Sequence, residues 1–172
     1  MSDSTPITGL VLTGGGARAA YQVGVLKALV QIRRETAASS SNPFPVITGT
    51  SAGAINAAAL ASHADAFDGA LEQLCDIWEN FSAEQVYRSD SIGVIRTGAR
   101  WLTMMSIGWT LARWRRARPR SLLDNRPLEG LLMRLVDTGR IRALMQQGHL
   151  QALAVTASSY GSGLHVTFYD AI

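Results

Sequence analysis

Gly49-Thr50-Ser51-Ala52-Gly53 sets one hydroxyl between two glycines in the pattern G-x-S-x-G. The apolar Pro45-Val46-Ile47-Thr48 before it reads as a buried strand, and Ala54–Ala61 after it as a helix of almost wholly small residues. A strand that turns sharply into a helix at such a serine is a nucleophile elbow, which holds the hydroxyl at the top of a sheet. The turn packs backbone against backbone, so the positions two before and two after the serine tolerate little beyond glycine. The helix beginning at Ala52 also aims its free N–H groups and positive dipole end at the serine, where an oxyanion would form. Ser51 is therefore the candidate nucleophile, and Gly49, Thr50, Ala52 and Gly53 are the residues that shape its turn.

A second glycine run, Gly14-Gly15-Gly16-Ala17-Arg18-Ala19, follows the apolar Ile7–Thr13 and opens a helical pattern that runs to about Arg34. It satisfies G-x-G-x-x-A, so a dinucleotide loop is one reading. That reading needs an acidic residue about 20 positions on, at the end of a second strand. Glu35 stands near that distance but ends a helix beside Arg33 and Arg34, and Ser51 is left without a role. In the alternative, backbone N–H groups of Gly14, Gly15, Gly16, Ala17 and Arg18 cradle an oxyanion rather than a pyrophosphate. This second reading uses both motifs together.

The two motifs, in this order and this close, resemble the patatin-like phospholipase family, which pairs a G-G-G-x-[R/K]-G oxyanion loop with a G-x-S-x-G nucleophile. Tyr21-Gln22-Val23-Gly24-Val25-Leu26 also looks like the family, and Ser121-Leu122-Leu123-Asp124 with Pro127-Leu128 resembles its bacterial members. Ala19 stands where the family has a last glycine, which implies closer packing at the helix start. The resemblance implies an α/β fold with a mostly parallel central sheet and helices on both faces. It also implies hydrolysis of acyl esters in lipids without a metal or cofactor. Ser51 Oγ would attack the ester carbonyl to form an acyl-enzyme, while N–H groups of the Gly15–Arg18 loop hold the oxyanion and water releases the fatty acid.

A serine at its ordinary pKa needs a base. In the family this is an aspartate in Asp-Gly-Gly or Asp-Gly-Ala on a later strand. Asp68-Gly69-Ala70 matches only in letters, because the intervening helix carries the chain about 15 Å from Ser51 over its ten or so residues. Asp65 and Asp68 suit a helix cap and a first-turn acid instead. Asp170 precedes Ala171. A Ser–His–Asp arrangement drawn from Asp124 or Asp137 with His149 or His165 keeps a known order, but these residues and His63 read first as structural. The expectation is therefore the N-terminal portion of a single hydrolase domain spanning residues 1–172, with its aspartate outside this chain. The competing expectation is a non-catalytic lipid- or membrane-binding module that keeps the elbow fold.

Two strand–loop–helix units open the chain, so parallel central strands are expected. Phe67–Phe81 reads as an amphipathic helix whose stripe holds Leu71, Leu74, Cys75 and Trp78, so the single cysteine fills core. Trp101–Arg118 reads as helical. Pro127–Leu135 and Arg140–Gln147 read as short helices, the first capped by Asp124 or Asn125. Leu150–Ser158 and Leu164–Tyr169 read as a hairpin.

In 172 residues, 47% hydrophobic and 17% charged, no apolar run reaches the ~18 residues of a membrane span. Met1–Pro6 lacks the layout of a signal peptide, so a cytoplasmic location is expected. The net charge of +3 is unevenly placed: eight arginines lie between Arg96 and Arg126, with Asp124 as the only acid there. Arg96–Arg120 interleaves Trp101, Trp109 and Trp114 with these arginines. That composition suits transient contact with a membrane surface, where rings sit at headgroup level and arginine meets phosphate. A core helix with a solvated basic end is the plainer reading. No nucleic-acid module accompanies the patch.

Overall fold

The computed structural model describes residues 7–36, 41–81, 126–159 and 161–172. Segments 87–98 and 96–120, Asp124 and Asn125 lie outside them. The chain divides into two compact units, residues 1–80 with 135–172, and residues 81–134. The described part of the second unit includes residues 126–134 of helix α4 (Arg126–Leu135), with Pro127 in its first turn, Leu131 buried and Met133 exposed.

The first unit is an α/β sheet structure. Strands β1 (Gly9–Leu12), β2 (Val46–Thr50), β3 (Ala152–Ser158) and β4 (His165–Ala171) lie side by side in sequence order. The first three are parallel, and β4 returns antiparallel to β3 as the expected hairpin. The register sets Leu10, Ile47, Leu153 and Asp170 in one row across the sheet. Parallel neighbours need a crossover, and helix α1 (Ala19–Glu35) supplies the first. Helix α2 (Ala52–Ala61) leads out of β2 and lies against β1, β2 and β3.

Alternation along each strand sends Leu12, Ile47 and Leu153 to the face that α2 covers, all three buried. Val11 and Tyr169 belong to the opposite face and are exposed. Behind α2, helix α3 (Phe67–Glu79) buries Phe67, Ala70, Leu71, Leu74 and Cys75, so the cysteine fills core as its stripe predicts. Phe67 also meets the Phe44 ring at a centroid distance of 5.8 Å and an interplanar angle of 59°, a tilted geometry favourable to both rings.

Helix α1 packs on α3 and buries Ala19, Val23, Leu26 and Val30, which recur at helical spacing. Arg34 crosses this seam to Asp68 at 3.0 Å and Glu72 at 2.9 Å, and Lys27 reaches Glu79 at 3.5 Å. Exposed pairs contribute about 0–1 kcal/mol each, so the apolar stripe carries the seam.

Two 3-10 turns change helix starts expected from the sequence. A 3-10 turn, Gly16–Arg18, precedes α1 and absorbs the last loop residues. A second 3-10 turn, Ala64–Ala66, separates α2 from α3 and moves the N-cap of α3 to Ala66. Asp65 is therefore not the cap. It pairs at 2.8 Å with Arg140 on helix α5 (Thr138–Gln146), whose own cap is Asp137, accepting from Gly139 N at 3.0 Å. Among the described residues, no helix is long and apolar enough to cross a membrane.

Cys75 is 8% exposed, and burial pushes its thiol pKa up. Less thiolate at a given pH means slower alkylation, since the thiolate is the nucleophile. At pH 8 the native chain is expected to react with iodoacetamide at least about tenfold more slowly at Cys75 than the denatured chain. Equal rates, read by mass spectrometry over time, would place Cys75 at the surface.

Candidate active site

The two glycine motifs meet at the carboxyl ends of β1 and β2. Chain direction explains this: both strands are parallel, so the loops that follow them emerge at the same edge. Ser51 is the residue between β2 and α2, with φ 54° and ψ −122°, and is exposed. Among the described residues it alone, glycines aside, has positive φ. Such a conformation costs on the order of 1–3 kcal/mol and persists where surroundings over-determine it. Here Ser51 N donates to Thr156 O of β3 at 3.0 Å, and Ala54 N donates to Ser51 O at 2.9 Å. The serine backbone is thereby pinned to the sheet on one side and to the helix on the other.

The flanking glycines are dictated by contact. A Cβ on Gly53 would stand 2.2 Å from Leu12 O and 2.6 Å from Thr13 O. One on Gly49 would stand 2.3 Å from Gly53 O and 2.7 Å from the Ala57 Cβ. Real Cβ atoms do not approach backbone so closely, so α2 presses on β1 and β2 at a spacing that only glycine permits.

This pressing brings the first loop to the serine. A Cβ on Gly14 would lie 3.3 Å from the Ser51 Cβ and 3.4 Å from Thr50 O. The loop then turns through Gly16 at φ 56°, where glycine is the unstrained choice, and Arg18 N closes the turn onto Gly15 O at 3.1 Å. The chain continues through the 3-10 turn directly into α1. The first N–H groups of a helix have no partner within it, so donors are left over at this helix start.

Three residues outside the two motifs hold this arrangement. Gln22 Nε2 donates to Thr13 O at 2.8 Å, steadying the entry to the loop. Asn56, fully buried on α2, donates from Nδ2 to Ala19 O at 3.1 Å, and Trp78 Nε1 donates to Asn56 Oδ1 at 2.9 Å. Ala19, the residue departing from the family pattern, is fully buried at the helix start. Motif and spacing rules do not single out Asn56, although a lone amide in the run Ala-Gly-Ala-Ile-Asn-Ala-Ala-Ala-Leu-Ala is a visible signal.

Among the described residues, none of the other acid–base candidates reaches Ser51. Asp68 is held by Arg34 at the start of α3, Asp65 by Arg140, and Asp170 by Arg142. Asp137 caps α5. His63 Nδ1 lies 3.0 Å from Ser62 Oγ at the far end of α2, about 15 Å of helix from the serine. His149 precedes β3 at the opposite end of the sheet, about 20 Å away. His165 pairs in register with Ser158, two strands over and two residues beyond Thr156, which sets it about 12 Å from Ser51.

A family model described as patatin-like phospholipase matches residues 10–160. The type III effector protein ExoU matches in structure at 20% identity and TM-score 0.48, over 95% of this chain and 36% of that one. The heterodimeric ExoU–SpcU complex from the type III secretion system of Pseudomonas aeruginosa matches at 22% identity and TM-score 0.38, over 95% and 33%. The chain thus spans about a third of the length of these solved structures. No curated protein matches it.

The contact at Gly53 makes opposite predictions for two glycines. Gly53→Ala forces a methyl against immobile carbonyls and is expected to cost about 1–3 kcal/mol or more, lowering Tm by several degrees. Gly24 lies mid-helix in α1, and a Cβ added there would meet nothing within 4 Å. Gly24→Ala should therefore gain about 0.5–1 kcal/mol. Thermal unfolding of both variants checks the order, and equal shifts would refute the close approach.

Proposed function

The chain belongs to the patatin-like phospholipase family, and from that premise we propose that it is a serine acyl hydrolase of phospholipid or related lipid esters, with Ser51 as nucleophile. One observation carries the reading. The Gly14–Arg18 loop meets Ser51 at Gly14, and Ser51 is an exposed serine held at positive φ between strand and helix.

In this reading Ser51 Oγ adds to the ester carbonyl carbon as a base takes its proton. The carbonyl electron pair moves onto oxygen, and backbone N–H groups of Gly15, Gly16 and Ala17 receive the negative charge, Arg18 N being already bonded to Gly15 O. Collapse of the adduct breaks the ester C–O bond, and the leaving alkoxide takes the proton back. Water then attacks the acyl-serine by the same route and releases the fatty acid. Backbone donors cost no reorganisation as charge develops, and losing one such donor elsewhere costs on the order of 10²–10³ in rate. The loop and turn thus supply binding and charge stabilisation from this chain's own residues.

The base in this proposal is an aspartate outside residues 1–172. The described carboxylates considered as bases have other partners, and the described histidines lie about 12 Å or more from Ser51. The same observation favours a second reading, a lipid-binding module that keeps the turn without hydrolysis. Lipid contact through residues 96–120, which lie outside the described residues, belongs to either reading.

A fluorophosphonate probe separates the two, because it needs a nucleophilic serine and an oxyanion site. A fluorophosphonate is far more electrophilic than an ester, so slow labelling of the native chain without its base, and none of Ser51→Ala, is expected, with Asp137→Asn and His165→Ala labelled within about twofold of native. Labelling that survives Ser51→Ala sinks the nucleophile assignment, and its loss in Asp137→Asn or His165→Ala would move the base into this chain. For membrane contact, sedimentation with vesicles of phosphatidylcholine and phosphatidylserine should retain the native chain more than an Arg113/Arg115/Arg116→Ala variant. Equal retention would remove the arginine segment from the proposal.

A further inference from the structure

Asn56 is the one wholly buried side-chain amide among the described residues, set in a helix otherwise built of small and apolar side chains. A buried amide without partners costs about 1–3 kcal/mol, and an alanine at this position would complete the helix without that cost. Both ends of the amide are used, and they join three helices. Nδ2 donates to Ala19 O in the first turn of α1, and Oδ1 accepts from Trp78 Nε1 in the last turn of α3.

The chemistry of the partners fixes which way the amide points. An indole N–H only donates and a backbone carbonyl only accepts. Trp78 must therefore face Oδ1, and Ala19 O must face Nδ2. With the amide reversed, both contacts would be repulsive. Trp78 thus acts as an orienting partner, and Asn56 as a directed donor to the carbonyl of Ala19.

Ala19 directly follows Gly16–Arg18, the turn that continues from Gly14 beside Ser51. Ser51 is the N-cap of the helix that carries Asn56 five residues later. The loop is consequently gripped twice against α2. At its strand end Gly53 abuts Leu12 O and Thr13 O, and at its helix end Asn56 holds Ala19 O. The first grip restrains where the loop begins. The second restrains where its N–H groups end up.

We propose that Asn56, oriented by Trp78, is a positioning residue that sets the distance between the loop N–H groups and Ser51. The inference rests on Ser51 acting as nucleophile. It predicts a selective defect: reactions needing the oxyanion site should weaken, and reactions needing only an accessible residue 51 should not.

Fluorophosphonate labelling needs the oxyanion site. Alkylation of a cysteine at position 51 by iodoacetamide is a displacement at carbon with no oxyanion. Asn56→Leu, which keeps volume and removes both polar ends, is expected to slow fluorophosphonate labelling of Ser51 about tenfold or more. In the Ser51→Cys background the same substitution should leave alkylation at position 51 within about twofold, read on the isolated peptide so that Cys75 does not interfere. Should Asn56→Leu fail to fold, Trp78→Phe removes the orienting donor and is expected to slow labelling about threefold or more. A parallel fall in both reactions would mean that Asn56 supports the turn as a whole, and unchanged labelling would mean that it positions nothing; either overturns the proposal. A native chain that takes no label overturns the nucleophile reading and this inference together, whereas label on the native chain that neither variant slows overturns this inference alone.

Discussion

The first unit depends on one contact, the passage of α2 across the ends of β1 and β2 with backbone touching backbone. Gly53 lies so near Leu12 O and Thr13 O, and Gly49 so near Gly53 O, that a single methyl group at either position has nowhere to go. Helices usually stand off a sheet by the length of their side chains. Here the separation is set by the absence of side chains, and the sequence around it follows: Ala54, Ala57, Ala58 and Ala59 continue the small-residue surface through the helix. What this contact gains is position rather than buried area. It brings the N-terminus of α2, with Ser51 as its cap, to the edge where the β1 loop emerges.

Such a helix has little hydrophobic surface of its own, so other terms must hold it. Ile47 and Leu153 from the sheet and Leu60 at the end of α2 are buried around it. Directional bonds then fix its angle. Ser51 N to Thr156 O ties its start to β3, and the Asn56 amide ties its middle to α1 and α3. The strain at Ser51 is compatible with this network because the residue cannot relax alone. Moving its φ to the ordinary region would break the bond to Thr156 and lift the helix from Gly49. Strain is concentrated at the exposed Ser51, while Gly49, Gly53 and Asn56, buried around it, carry the constraint.

How much of this could be read from the chain alone follows from the range of each interaction. Gly49 and Gly53 announce a tight turn because the steric rule is local. The buried face of α1 was legible for the same reason, since Ala19, Val23, Leu26 and Val30 recur at helical spacing. The hairpin of β3 and β4 was marked by the glycines between two strand-like runs. Asp65 misled, because a cap depends on where the helix begins, and one extra 3-10 turn moved that start to Ala66. Its ion pair with Arg140, 75 residues away, had no local signature. Asn56 was illegible for a related reason. Its role comes from Ala19 and Trp78, which lie 37 and 22 positions from it, and no spacing rule connects them.

The same distinction separates the two halves of the proposed chemistry. Holding a carbonyl and stabilising its oxyanion needs backbone donors and a fixed serine, and both arise within adjoining strand–loop–helix units. Proton transfer needs a side chain within hydrogen-bond reach of Ser51, about 2.6–3.2 Å, and so needs an element that arrives at this edge from elsewhere in the fold. In the sheet described, β3 already fills the neighbouring position beyond β2, and its Thr156 contributes a backbone carbonyl rather than an ionisable group. His165 on β4 is one strand too far. In the proposed function a base for Ser51 comes from a segment that is not one of these four strands. The spacing between Gly14 and Ser51 is then the frame into which such a group has to fit.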